Sequence, residues 1–266
     1  MKTIGIIGNG FVGNAIYQNF KDRISTKVFD VFPEKTLNSY DEVLSCDVIF
    51  VCLPTPMMED GTCDTSYIFN FFNEVPNNIS GLFVIKSTVP IGTTDQLCSL
   101  RLDLKILHNP EFLTAENAKN DFLHCNRNII GGDYSYAKQF GEFLYDIFPE
   151  WNDIPLYLVQ SKESETIKYF SNSFLALKIA YFNNLYETCN SFNIDYDKVK
   201  DAIVKDNRIG THHTKVPGPD GKLGFGGYCF PKDINALIHT LNENNINSEL
   251  LQATWNYNKK IRGIYD

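Results

Sequence analysis

A chain of 266 residues with 43% apolar and 21% charged side chains can bury a sizeable core and has the balance of an ordinary soluble globular protein, which sets aside disorder. A formal net charge of −8, with no run of Lys and Arg, opposes a phosphate backbone, so nucleic acid is not expected as a partner. No apolar stretch approaches the roughly 20 residues that span a bilayer, and the apolar start breaks at Gly8 without a cleavage site, so neither membrane nor signal peptide is expected.

Residues 3–7 form a short β-rich run, 8–13 are glycine punctuation, and 14–20 space Ala15, Ile16 and Phe20 helically, which predicts strand, turn, helix. A second strand is predicted over 27–30. Residues 48–53 are a continuous apolar run closed by Pro54-Thr55-Pro56, as suits a strand buried on both faces of a parallel sheet. Further strands are predicted at 82–85, 105–108 and 128–131, separated by helix-length segments. Together they predict an α/β domain over 1–160, a Rossmann-like doubly wound parallel sheet. From Ser161 the texture changes, and 161–266 read as an all-helical domain. One long helix is predicted over 165–193, which lacks proline and glycine. A second helix follows over 196–204, then a glycine-rich stretch over 210–227, then helices from about Asp233 to the end.

Gly8-Asn9-Gly10-Phe11-Val12-Gly13 fits G-x-G-x-x-G between the first strand and the first helix. Gly8 and Gly10 permit a tight turn and close approach to a pyrophosphate, Gly13 permits helix–strand packing, and the helix start supplies unpaired N–H donors. Asp30 ends the second predicted strand, where a carboxylate accepts ribose hydroxyls and repels a 2′-phosphate. Gly8, Gly10, Phe11, Val12, Gly13 and Asp30 are therefore candidate contacts for NAD rather than NADP; the alternative is a purely structural turn.

Seven cysteines, at 46, 52, 63, 98, 125, 189 and 229, are odd in number and hold no C-x-x-C pair, so a reducing cytoplasmic compartment is expected and a metal site is not. Six read as small buried hydrophobes. Cys229 differs, because it follows a glycine-rich turn and precedes a predicted helix with Lys232 nearby, and both features favour the thiolate. A thiolate that adds to an aldehyde gives a thiohemiacetal, whose oxidation yields a thioester that water cleaves. Lys168 and Asn172 stand four apart on the predicted long helix and so share a face; they can hold an oxyanion, or be merely solvated. Glu111 follows a proline at a strand end, at the sheet's carboxyl edge, where it can act as a general base or simply cap a helix.

Six segments then stand in one order: Pro54-Thr55-Pro56, Lys86-Ser87-Thr88-Val89-Pro90-Ile91-Gly92-Thr93-Thr94, Asn109-Pro110-Glu111-Phe112-Leu113, Glu165-Thr166-Ile167-Lys168-Tyr169-Phe170-Ser171-Asn172, Asp206-Asn207-Arg208-Ile209-Gly210, and Gly224-Phe225-Gly226-Gly227-Tyr228-Cys229-Phe230-Pro231-Lys232-Asp233. Over nearly the whole chain they resemble the signature blocks of the UDP-glucose/GDP-mannose dehydrogenase family. The resemblance implies an NAD-dependent four-electron oxidation of a nucleotide sugar, UDP-glucose to UDP-glucuronate. It implies that Cys229 is the nucleophile, that Lys168 and Asn172 stabilise the oxyanion, and that Glu111 activates water ordered by Thr88 and Asp233. Thr55 and Thr88 would lie at the cofactor. Glu111, Phe112, Leu113, Lys168, Asn172, Phe225, Gly226, Gly227 and Lys232 would contact the substrate. Arg208 would reach a substrate bound to a neighbouring subunit, which implies a homodimer through the long helix.

The sequence departs from the family pattern in three places. Thr114-Ala115-Glu116 replaces an Arg-Glu or Thr-Glu pair after Leu113, so an acidic cofactor contact is either lost at Ala115 or taken over by Glu116. Asn184 stands where Glu is common. Family members continue beyond this chain's last residue with another Rossmann-like domain that binds much of the UDP; without it the nucleotide is held by another chain, held weakly, or replaced by a smaller substrate, or the chain is a short form or fragment. Two other readings stay open: a two-electron 3-hydroxyacid or polyol dehydrogenase in which Cys229 is idle, and a silent NAD- or nucleotide-sugar-binding partner protein.

Overall fold

The structure is a computed structural model and describes residues 1–114 and 117–264, so the expectation at Ala115 and Glu116 lies outside the described residues. The chain divides into two compact units, Met1–Pro56 with Cys63–Lys168, and Met57–Thr62 with Tyr169–Asp266.

The first unit is built on a seven-stranded sheet of β1 (Thr3–Ile7), β2 (Ser25–Phe29), β3 (Val48–Val51), β4 (Leu82–Ile85), β5 (Lys105–His108), β6 (Asn128–Gly131) and β7 (Leu156–Val159). Its order is β2-β1-β3-β4-β5-β6-β7. Every residue of β3, β4 and β6 is buried, which accounts for the unbroken apolar sequences of β3 and β4. Alternation still sorts the side chains: Ile4, Ile6, Val48 and Phe50 join one core, Ile7, Ile49 and Val51 the other. The doubly wound parallel sheet is thus present, with one exception. Strands β5 and β6 meet antiparallel through the pair His108 and Gly131, after which β6 and β7 run parallel. The apolar run of β7 is short and only part-buried at the sheet's edge, so a search for continuous buried strands passes over it.

The helices of this unit are α1 (Phe11–Phe20), α2 (Tyr40–Leu44), α3 (Ser66–Glu74), α4 (Thr93–Leu100), α5 (Ala118–Leu123) and α6 (Tyr134–Ile147). Phe20, Phe122, Phe148 and Trp151 fill the core beneath α1, with the Phe148 and Trp151 rings stacked at 4.4 Å. Truncating any of them to Ala costs about 3–5 kcal/mol by the usual cavity argument.

The long helix α7 (Ser161–Ser191) starts in the first unit and continues in the second. It begins four residues earlier than its apolar spacing predicts, because the Glu163 side chain accepts the Gln160 N–H and secures its start. The second unit adds α8 (Tyr196–Ile203), α9 (Phe230–Glu243) and α10 (Glu249–Arg262), so the predicted C-terminal helical stretch is two helices. Phe182, Cys189 and Tyr196 form one buried cluster there, with Leu185, Val199 and Val216 around them. Among the described residues no helix is long and apolar enough to cross a membrane.

Candidate functional site

The three motif glycines serve different purposes. A Cβ on Gly8 would lie 2.5 Å from the Cys52 carbonyl oxygen, and one on Gly13 would lie 1.9 Å from that of Gly8, so both are required by backbone approach. Gly8 also has φ +90, a left-handed conformation that favours glycine. A Cβ on Gly10 would meet nothing within 4 Å. Gly10 is the N-cap of α1 and offers no side-chain cap, which leaves the first-turn N–H groups facing that open space at the positive end of the helix. This cradle fits a pyrophosphate. At the end of β2, Asp30 accepts the Asn9 N–H at 2.6 Å on one oxygen and the Phe32 N–H at 3.0 Å on the other. These bonds fix the carboxylate beside the glycine turn and leave it lone pairs for ribose hydroxyls. Phe11 is exposed and Val12 half-buried on the first turn of α1. The residues present therefore fit NAD.

The loops leaving β3 and β4 are tied together. The buried Thr55 hydroxyl donates to the Thr88 carbonyl at 2.9 Å, and Ser87 donates to the Leu53 carbonyl at 2.6 Å. Just beyond β5 a compact set of charges follows. Lys168 on α7 is 3% exposed, and its Nζ lies 3.1 Å from the Glu111 carboxylate; it also donates to the Glu111 carbonyl. The second carboxylate oxygen accepts the Leu113 N–H at 2.6 Å. Burial pushes the Glu111 carboxyl up, but the Lys168 ammonium and the Leu113 N–H outweigh it and hold the group below the ordinary carboxylate range. Phe112 lies between two cations, with Lys168 Nζ 5.0 Å and Arg127 Cζ 4.1 Å from its ring centroid.

Sequence reasoning assigned no role to Lys86, which directly follows β4 as a buried ammonium bonded to Asn109 Oδ1 at 2.8 Å. Burial pushes Lys86 down to about 8. Its signal was available, since a lysine directly follows a doubly buried strand. Two neighbours are electrically silent: burial pushes the Cys52 thiol up to about 12 and His108 down to about 3.

In the second unit Asp233 is 1% exposed and accepts from both Asn172 Nδ2 at 2.5 Å and Lys232 Nζ at 2.6 Å. The Asn172 amide is thus buried and engaged rather than solvated. Cys229 is the N-cap residue of α9, and its carbonyl accepts the Asp233 N–H at 2.9 Å. Cys229 is an exposed residue, the opposite of a cysteine lost in apolar packing. Gly224 and Gly227 adopt φ +70 and +74, left-handed turns that carry the chain into this helix start. Phe225 is 2% exposed, its ring 6.1 Å from that of Trp255. Arg208 is placed differently. It is exposed and pairs with Asp206 at 2.5 Å. Asn184 is exposed on α7.

The structure thus brings Glu111, Phe112, Leu113 and Lys168 together in the first unit, and Asn172, Cys229, Lys232 and Asp233 in the second. The NAD binding domain of the UDP-glucose/GDP-mannose dehydrogenase family matches residues 34–149, and the central domain of the same family matches residues 162–260. A UDP-glucose 6-dehydrogenase of Rickettsia bellii is 33% identical over 252 residues, 92% of this chain and 57% of that protein. The UDP-glucose 6-dehydrogenase TuaD of Bacillus subtilis is 30% identical over 98% of this chain and 64% of its own length. A solved UDP-glucose dehydrogenase from Pyrobaculum islandicum superposes with a TM-score of 0.84 at 28% identity, covering 98% of this chain and 68% of that one. The chain spans less than two thirds of the length of those two curated relatives.

Proposed function

The chain belongs to the UDP-glucose/GDP-mannose dehydrogenase family, and on that premise we propose that it is an NAD-dependent nucleotide-sugar dehydrogenase that oxidises UDP-glucose to UDP-glucuronate through Cys229. The observation that carries the reading is the exposed thiol at the N-terminus of α9, directly after a left-handed glycine turn. A dehydrogenase that stops at the ketone or aldehyde has no use for it. NAD, when bound, supplies the acceptor for the hydride that leaves in each of two oxidations. The Lys168 ammonium and the Asn172 amide hold the substrate oxygen as charge develops on it. The Cys229 thiolate adds to the aldehyde carbon, and the resulting thiohemiacetal becomes, on losing hydride, a thioester.

Glu111 then takes a proton from water, which adds to the thioester carbon and expels the Cys229 sulfur. A carboxyl held below its ordinary range is ionised at neutral pH, as a proton acceptor must be. Thr88 and Asp233 position that water, Lys232 contacts the substrate, and Phe112 steadies the Lys168 ammonium through its ring. A homodimer through α7 belongs to the same proposal, with Arg208 reaching the partner's substrate. In support, Phe170, Phe174 and Tyr181 recur along α7 and are 47%, 62% and 65% exposed. A reducing cytoplasm suits an exposed reactive thiol.

The test is to incubate the purified protein with NAD and a panel of UDP- and GDP-sugars and follow NADH absorbance. Two NADH per UDP-glucose are expected, with little steady turnover in Cys229→Ser. One NADH per sugar, or an unimpaired Cys229→Ser, would refute the thioester route. Tight NAD binding without any turnover would favour the silent partner protein.

A further inference from the structure

Residues 223–225 of the glycine-rich loop have no regular secondary structure, yet side chains from two helices satisfy their backbone. Asn258 on α10 is fully buried; its Oδ1 accepts the Phe225 N–H at 2.7 Å and its Nδ2 donates to the Phe225 carbonyl at 3.0 Å. Asn183 on α7 accepts the Gly224 N–H at 2.9 Å. Arg262 donates to the Leu223 and Gly224 carbonyls at 3.0 and 3.2 Å, and to Asp220 at 2.6 Å. We propose that Asn258 is a positioning residue that sets this loop for recognition of the sugar nucleotide. The inference rests on the functional reading above, together with the substrate contact that the family resemblance implies for residues 225–227, and adds to it a residue outside every motif.

Three features give the arrangement its direction. Both polar groups of Phe225 go to one amide, a pairing that a neighbouring β-strand would otherwise supply, and only an amide carries a donor and an acceptor at this reach. Gly224 and Asn258 fit each other, since a Cβ on Gly224 would lie 2.3 Å from Asn258 Oδ1. The latch also ends abruptly. Gly227 has open space where a Cβ would stand, and Cys229 is exposed. A loop rich in positive-φ glycine has little conformational preference of its own, so its anchored end decides where its open end lies. Displacement of a substrate-positioning group by about 1 Å can cost on the order of 100-fold in rate.

Steady-state kinetics and hydrogen exchange of the intact chain test this. In Asn258→Leu, which removes both bonds, KM for UDP-glucose is expected to rise about tenfold or more, while KM for NAD stays within about twofold. Amides of residues 224–227 should exchange faster while those of β1, β3 and β4 keep their protection. Asn258→Asp, which keeps the acceptor and loses the donor, should also raise the sugar KM. A folded variant with wild-type KM for the sugar overturns the proposal. If Asn258→Leu does not fold, Asn183→Leu removes the acceptor for Gly224, together with the bond within α7 from the Asn183 amide to the Ile179 carbonyl, and should raise the sugar KM about threefold; no rise there overturns it as well. The two failures separate. A wild-type chain that turns over no nucleotide sugar defeats the functional reading, whereas an active wild type with indifferent Asn258 and Asn183 variants defeats this inference alone.

Discussion

Lys168 and Glu111 are buried beside the carboxyl edge of a sheet, with each charged group matched to named partners, whereas Cys229 stands exposed at the end of a loop anchored several residues upstream. The first arrangement suits groups whose work is electrostatic, because fixed partners in a low-dielectric setting keep charge where it is needed without reorganisation. The second suits a group that must form and break a bond to carbon and so must be reached. The contrast teaches that one chain divides the two requirements between two units. On the proposed function the buried Lys168–Glu111 pair serves from the sheet unit, and the sulfur that bonds carbon serves from the helical one, which holds a buried charge of its own in Asp233 with Asn172 and Lys232.

The sharpest break of that contrast is chemical labelling. A thiol pushed up to about 12, as Cys52 is, leaves on the order of one molecule in 10⁴ ionised at pH 8, and Cys98, pushed up to about 11 by burial, fares little better. Iodoacetamide should therefore modify Cys229 at least about 10³-fold faster than Cys52, as peptide mass spectrometry would show. Comparable rates would mean that Cys229 is not the accessible nucleophile.

Next in size is Lys168→Met. Loss of an oxyanion donor should lower kcat by about 10²–10³-fold. The same change leaves Glu111 buried without its cation, which should cost about 3–5 kcal/mol in urea unfolding. A variant that loses activity but no stability would show that the ion pair is not buried as described.

A smaller effect separates the two partners of the charge cluster by pH. Glu111 is held low in the folded state, so it contributes stability that is complete above the unfolded carboxylate range and is lost as pH falls through its depressed value. Glu111→Gln should flatten that acid limb. Lys86 behaves in the opposite sense: folded, it loses its proton near 8, while the unfolded chain keeps its own to about 10.4, so stability rises with pH across that window. Lys86→Met should remove the rise, and an unchanged slope between those limits would show that Lys86 is not buried as a lysine with a depressed proton affinity.

What the sequence made legible was local. Unbroken apolar runs announced β3 and β4, a proline- and glycine-free span announced α7, and the glycine spacing announced the turn above α1. Periodicity reports how a segment is buried, not which distant residue it meets. The Lys168–Glu111 pair joins positions 57 apart, and the Asn258–Phe225 latch joins positions 33 apart, so neither leaves a local trace. Lys168 and Asn172 could be placed on one face by counting, but their burial, which sets aside a solvated pair, came only from packing. The antiparallel meeting of β5 and β6 was hidden for the same reason, since strand direction depends on the crossover and not on the strand's own residues.

The mildest test concerns an open position within the otherwise crowded sheet unit. A methyl group at Gly10 meets nothing within 4 Å, and its φ of −79 suits alanine, so Gly10→Ala should leave the unfolding free energy within about 0.5 kcal/mol of wild type. The same methyl would occupy the space above the uncapped start of α1, where a pyrophosphate must approach the backbone, so the Kd for NAD should rise about tenfold. Calorimetric titration with NAD distinguishes the two roles that glycine plays in this turn. Unchanged affinity in a stable Gly10→Ala would mean that the open space is not where the phosphates lie, and the electrostatic work assigned to the first unit would then have to proceed without that cofactor cradle.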